Sequence, residues 1–117
     1  MAKALNHFPG VTLLITHYNR SSSLARLLKA FEAISCSFEE IVVSDDASKP
    51  EHQQAMEGLN KEIPFRLVTT PKNKGLANNL NKGQAAVKTP YTLYVQEDFI
   101  PKPAFIARLK EAVGFLN

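Results

Sequence analysis

Val11-Thr12-Leu13-Leu14-Ile15-Thr16-His17-Tyr18-Asn19-Arg20 is the stretch whose reading decides the fold. Its first half is a short, nearly continuous apolar run, the pattern of a strand buried on both faces. Its second half sets a hydroxyl, an aromatic ring, an amide and a guanidinium immediately beyond the strand end. From Ser21 the apolar residues change period. Leu24, Leu27, Leu28, Phe31 and Ile34 recur at helical spacing, and Ser21 or Ser22 can cap the start.

The same unit recurs outward from this stretch. Glu40–Ser44 reads as a strand cut off by Asp45-Asp46-Ala47-Ser48, and 50–60 as a more polar helix. Phe65–Thr69 reads as a third strand, Asn73-Lys74-Gly75 as a turn, and Leu76–Val87 as a helix. Tyr91–Val95 is the fourth strand, and Pro101 and Pro103 bracket the start of a last helix over Ala104–Leu116. Strands separated by helix-length segments predict an α/β fold, a Rossmann-like, doubly wound, mainly parallel sheet with helices on both faces. Such sheets bind ligands beyond the carboxyl ends of the strands, where strand order reverses. Three polar clusters follow strand ends here: Thr16 to Arg20, Asp45-Asp46, and Glu97-Asp98.

The chain has 117 residues, enough for one core, and we expect a single domain over 1–117. Apolar and charged fractions of 44% and 21% are ordinary for a globular protein, and no apolar run is long enough to span a bilayer. The first twenty residues lack the apolar core of a signal peptide, so a cytoplasmic protein is expected. The formal charge of +3 comes from scattered Lys and Arg, which suits an anionic small ligand or loose peripheral contact with the inner membrane face. It gives no basic stripe for nucleic acid. With Cys36 the only cysteine, no internal disulfide can form.

Each cluster has a bland reading beside a chemical one. Tyr18 could stack on a base and Arg20 hold a phosphate through paired hydrogen bonds, or the loop could merely cap a helix. One of Asp45 and Asp46 is expected to cap the next helix, leaving the other for a base N–H or ribose hydroxyl. Asn73-Lys74-Gly75 leads into a helix with three Asn, an amount that helix propensity disfavours without a reason. Its free N–H groups could face a phosphate. It is not a GxGxxG fingerprint. Ending a buried strand with Gln96-Glu97-Asp98 is costly unless the acids are solvated, paired or bound to a cation, and Mg²⁺ uses one or two carboxylates beside substrate phosphates. His17 is expected to alternate away from Thr16 and Tyr18, and no Ser/His/Asp set follows from spacing.

Taken in order, Thr16-x-Tyr18-Asn19-Arg20, Asp45-Asp46-x-Ser48, Asn73-x-Gly75 with Asn81-x-Gly83, and Gln96-Glu97-Asp98 before Pro101 resemble the family 2 glycosyltransferases of the GT-A fold. The resemblance runs from Val11 into the last helix. It implies a nucleotide-sugar-binding domain for inverting transfer from a nucleotide-diphospho-sugar, a UDP-sugar in the usual case, to a hydroxyl acceptor. Thr16 and Tyr18 match positions that embrace the base, Arg20 and Asn81 positions near the phosphate or sugar, and Asp46 the carboxylate that reads the base N–H. Asp98 matches the last acid of the DxD motif, which binds Mg²⁺ or Mn²⁺, with Glu97 as a helper.

Two departures stand out: Gln96 replaces the first acid of DxD, and Leu80 stands where an Arg commonly precedes Asn81. The family continues into an acceptor-binding half carrying the general base. No residue here matches it, so the catalytic base is unknown and the chain alone is expected to transfer sugar poorly. A saccharide or lipid-linked acceptor and self-association through uncovered apolar surface are further expectations. The alternative from another class is a non-catalytic nucleotide-sugar-binding or assembly module. A receiver-type signalling domain ranks lower, because it places its acids after the first strand, where this chain has Thr16-His17-Tyr18.

Overall fold

A computed structural model describes residues 6–116, with no account of the side chains of residues 115 and 116. Residues 1–5 and 117 of the expected unit lie outside the described residues. The elements alternate as expected: β1 (Asn6–His17), α1 (Ser21–Ala33), β2 (Cys36–Asp45), α2 (Pro50–Glu62), β3 (Arg66–Thr69), α3 (Leu76–Ala86), β4 (Tyr91–Gln96) and α4 (Ala104–Leu116). All strand pairs are parallel, in the order β3-β2-β1-β4. The sheet is therefore fully rather than mainly parallel. The chain steps outward from β1 to β3, then crosses back to lay β4 on the other side of β1. That reversal puts the switch point beside β1, the strand that opened the reading.

β1 and β2 start earlier than the apolar runs suggest. β1 begins at Asn6, because Pro9-Gly10 is a bulge inside the strand rather than its boundary: Gly10 takes φ +76 and the register against β2 shifts between Phe8 and Thr12. β2 begins at Cys36, paired with Asn6. Burial pushes the Cys36 thiol up to about 11, which keeps it an unreactive hydrophobe.

Strand alternation splits the sheet into two unlike faces. Val11, Leu13 and Ile15 of β1, with Val43 and Val95 beside them, meet Leu24, Leu27, Leu28 and Phe31 of α1, Met56 and Leu59 of α2, and Leu109 of α4. Phe31 anchors this core, contacting Phe38, Phe99 and Phe105 at ring-centroid distances of 5.3, 6.4 and 5.8 Å. Each such fully buried side chain contributes roughly 1.5–3 kcal/mol.

The opposite face carries Thr12, Leu14, Thr16, Val42 and Ser44 under α3. α3 packs there through Asn79 and Gly83, its two buried residues. A Cβ at Gly83 would stand 2.6 Å from Leu14 Cδ1 and 2.9 Å from Ser44 Cβ, so the helix can sit this low only on a glycine. The Asn that looked out of place in a helix has its reason. The Ser44 hydroxyl donates to both Asn79 O and Asn79 Oδ1, at 2.8 and 2.7 Å.

Gly83→Ala should therefore lose about 1–2 kcal/mol of stability in urea unfolding despite alanine's better helix propensity. Gly58→Ala, on α2 with no atom within 4 Å of the added methyl, should gain about 0.5–1 kcal/mol. Equal effects at the two sites would contradict the close approach of α3 to the sheet.

Candidate functional site

The ends of β1, β2 and β4 meet around a cleft of about 360 Å³, within the usual range of small-molecule sites. β1 and the residue after it contribute Thr16, His17 and Tyr18, the residue after β2 is Asp46, and the end of β4 and the residue after it supply Gln96 and Glu97. The loop into α3 closes the remaining side with Asn73, Gly75, Leu76 and Asn79. Parallel register makes this convergence: Thr16 sits opposite both Ser44 and Gln96, and His17 opposite Asp45.

Tyr18 is 45% exposed and Leu76 53%, so the cleft offers two apolar surfaces free to meet a flat ring. Thr16 is buried, with its hydroxyl 2.9 Å from Tyr94 Oη.

The two aspartates ending β2 face in different directions. Asp45 turns back toward β1. Its Oδ1 accepts from His17 Nδ1 at 2.8 Å and from the Ser48 hydroxyl at 2.5 Å, and its Oδ2 accepts the Ser48 N–H at 3.0 Å. It closes the turn at Ser48 and does not cap α2, whose N-cap residue Lys49 makes no side-chain capping hydrogen bond. Burial pushes its carboxyl upward, but the hydrogen bonds from His17 and Ser48 outweigh that and hold it below the ordinary carboxylate value. Asp46 turns forward. Its Oδ1 accepts the Lys74 N–H at 2.8 Å and its Oδ2 the Gly75 N–H at 2.9 Å, while its own N–H donates to His17 O. Each Asp46 oxygen keeps further acceptor capacity and the residue lines the cleft, so it can still accept from a ligand.

Directly after them Ala47 is held at φ +58, and Asn19 on the neighbouring loop at φ +51. Left-handed backbone at a non-glycine costs about 1 kcal/mol or more and gathers where surrounding contacts dictate it. Here those contacts are visible: the Asn19 N–H donates to Ser48 Oγ and Asn19 Oδ1 accepts the Lys49 N–H, both at 2.8 Å.

Lys82 reaches in from α3, its ammonium donating to Asp45 O at 2.6 Å. Burial lowers its pKa, an effect opposed by the charges of Asp45 and Asp46 and reinforced by Lys74.

Of the residues singled out from sequence, Thr16, Tyr18, Asp46 and Glu97 line the cleft. Arg20 stands at its edge, exposed, with Nε 3.7 Å from Glu97 Oε1. Asp98 is exposed on the turn after β4 and outside the lining. Asn81 points away on α3, exposed, and the α3 asparagine that reaches the cleft is Asn79.

Among the described residues no group of three His, Cys, Asp or Glu could hold a metal by itself. Glu97 and Asp98 form a two-carboxylate set, which fits only an ion taking the rest of its shell from phosphate oxygens and water.

Sequence spacing also missed the buried His17-Asp45-Ser48 network. Its one signal was register, since parallel pairing of the two strand ends makes His17 and Asp45 neighbours.

A cleft beyond the strand ends at the order reversal of a parallel sheet is where such α/β folds bind ligands, and the chain matches the profile "Glycosyl transferase family 2" over residues 12–115. It belongs to that family. Among curated relatives it is 25% identical over 96 residues to the poly-beta-1,6-N-acetyl-D-glucosamine synthase of Staphylococcus aureus, covering 82% of this chain and 23% of that protein. The Staphylococcus epidermidis synthase is 24% identical over 91 residues, covering 78% of this chain and 22% of its own length. The chain thus spans under a quarter of these relatives.

Among solved structures, the Pyrobaculum calidifontis mannosyltransferase in complex with GDP-Man and Mn²⁺ superposes with a TM-score of 0.75 at 22% identity, covering 93% of this chain and 32% of that one. Residues 1–349 of S. aureus TarS in complex with UDP-GlcNAc give 0.70 at 20% identity, covering 91% and 30%. The fold is that of the GT-A glycosyltransferases.

Asp45 carries a pH signature. Its folded-state pKa is depressed, so its contribution is full above the ordinary carboxylate value of about 3.9 and is lost as pH falls through the lower folded value. Asp45→Asn should cost about 2 kcal/mol in urea unfolding near neutral pH, and the gap to wild type should narrow in acid below that value. A gap independent of pH would contradict the assignment.

Proposed function

We propose that this chain is the donor-binding part of an inverting family 2 glycosyltransferase, a single domain that holds a nucleotide-diphospho-sugar, a uridine one, at the ends of β1, β2 and β4. The observation that carries the reading is the meeting of Tyr18, Asp46 and Glu97 on one cleft at the strand-order reversal. Tyr18 stacks on the base against Leu76, and Asp46, preset by the Lys74 and Gly75 N–H groups, accepts a base N–H. Arg20 and the start of α3 lie where the diphosphate would extend, with Arg20 exchanging its loose contact with Glu97 for phosphate. Asn81, exposed on α3 and outside the lining residues, would reach only the sugar or a phosphate beyond them.

Asp98, helped by Glu97, would hold Mg²⁺ or Mn²⁺ beside the phosphates. Bound there, the cation supplies charge compensation for the departing nucleoside diphosphate. The protein's own share is to fix the base and orient the diphosphate so that the sugar carbon faces an acceptor hydroxyl. We assign it no general base: Asp46 is committed to the Lys74 and Gly75 N–H groups and to the base, and Glu97 to the cation beside Asp98. The acceptor is a saccharide or lipid-linked saccharide, in keeping with the polysaccharide synthases among its relatives. No helix among the described residues is long and apolar enough to cross a membrane. We place the chain in the cytoplasm, against the inner membrane face when its acceptor is lipid-linked.

A thermal-shift comparison of UDP and GDP, with and without Mn²⁺, tests the reading. UDP with Mn²⁺ should stabilise the chain most, by about 2.7 kcal/mol at a hundred times Kd, and Asp98→Ala should remove the metal-dependent part. Equal shifts with and without metal would contradict the cation's role. Stronger stabilisation by GDP would overturn the uridine assignment.

A further inference from the structure

His17 belongs to none of the ligand-contacting roles above, yet it is a densely hydrogen-bonded buried polar residue beneath the cleft. Its side chain is fully buried. Nδ1 donates to Asp45 Oδ1 at 2.8 Å and lies 3.3 Å from Ser48 Oγ, while Nε2 accepts the Arg20 backbone N–H at 3.1 Å. Because an amide N–H can only donate, Nε2 must present its lone pair, so the ring is the neutral Nδ1–H tautomer. Its carbonyl accepts the Asp46 N–H at 3.0 Å and Asn79 Nδ2 at 3.4 Å. One residue thus ties the Tyr18–Arg20 loop to both β2 aspartates and to α3.

We infer that His17 is the positioning residue of this cleft: its imidazole ties the Arg20 end of the Tyr18–Arg20 loop to Asp45, the neighbour of Asp46, so that the base-stacking ring and the base-reading carboxylate keep a fixed separation. This rests on the cleft being a nucleotide site. A catalytic role is excluded by geometry, because both ring nitrogens are occupied inside the protein and neither is free for substrate.

A second histidine provides the control. His52 of α2 sits at the same helix start, its Nδ1 2.9 Å from Ser21 Oγ and 3.4 Å from Ser21 N. It supports the beginning of α1 but touches neither β2 aspartate and does not line the cleft. Losing it should weaken the helix end and spare the separation of Tyr18 and Asp46.

The experiment measures UDP affinity by calorimetry, with Mg²⁺, for the wild-type chain and three variants, alongside melting temperature and the imidazole ¹⁵N spectrum. His17→Leu, which loses the imidazole bonds to Asp45 and from the Arg20 N–H, should bind UDP about tenfold or more weakly at a temperature where it is folded. His17→Gln, whose carboxamide keeps a donor and an acceptor, should recover most of that affinity. His52→Leu should melt lower and bind UDP as wild type does. The wild-type spectrum should show a buried neutral histidine protonated at Nδ1.

A folded His17→Leu that binds UDP as wild type does overturns the inference while leaving the nucleotide site standing. So does a His52→Leu chain whose affinity falls in step with its melting temperature. A buried ring protonated at Nε2 overturns it too, even if His17→Leu does not fold. A wild-type chain that binds no nucleoside diphosphate overturns the site reading and this inference together.

Discussion

Two adjacent carboxylates that face opposite ways hold the working rim of this protein together. Parallel strands of a twisted sheet end with their loops crowded onto one edge, and nothing in the sheet itself fixes how those loops sit. Asp45 reaches back to His17 and Ser48, and Asp46 reaches forward to the amides of Lys74 and Gly75. The loops after β1, β2 and β3 are thereby joined at one dipeptide. Burying two carboxylates is unfavourable unless each finds donors, and here every carboxylate oxygen has at least one. Consecutive side chains at a strand end point to opposite sides, and the left-handed turn at Ala47 follows directly after them.

The fold was legible because its signal is periodic. Leu24, Leu27, Leu28 and Phe31 recur at helical spacing and are the buried residues of α1, and the run Val11–Ile15 is buried throughout. Boundaries were less legible where a residue can serve two ends. Pro9-Gly10 has the composition of a turn, yet it is a bulge, because pairing with the start of β2 continues past it. Which asparagine of α3 faces the sheet could not be read either. Asn79 and Gly83 are one turn apart and share a buried face, while Asn81 lies between them on the exposed side; fixing that phase needs the contact of Gly83 with Leu14 and Ser44.

The site divides the same way. That the strand ends carry the chemistry follows from topology, and Thr16, Tyr18, Asp46 and Glu97 lie on the cleft. The division of labour between the aspartates and the place of His17 depend on register and loop conformation, which spacing along one chain does not encode. His17, expected from alternation to turn away from Thr16 and Tyr18, lines the cleft beside them with its side chain buried under the rim. The Gln96-Glu97-Asp98 segment resolves into unlike parts: Gln96 and Glu97 line the cleft, Glu97 meets Arg20, and Asp98 stands exposed on the turn. A cation there depends on the phosphates it would bridge, which couples metal affinity to nucleotide affinity.

Membership in glycosyl transferase family 2 and the GT-A fold are established by the match over residues 12–115 and by the superposition on glycosyltransferases of known structure. The central claim beyond them is that nucleotide enters the rim the two aspartates organise. Amide chemical-shift mapping of the ¹⁵N-labelled chain, titrated with UDP and Mg²⁺, tests it most directly. The account predicts the largest changes at Thr16 to Arg20, at Asp46, at Lys74 to Leu76 and at Gln96 to Asp98. Changes centred instead on the outer surfaces of α1 and α2, with the rim amides unmoved, would contradict it.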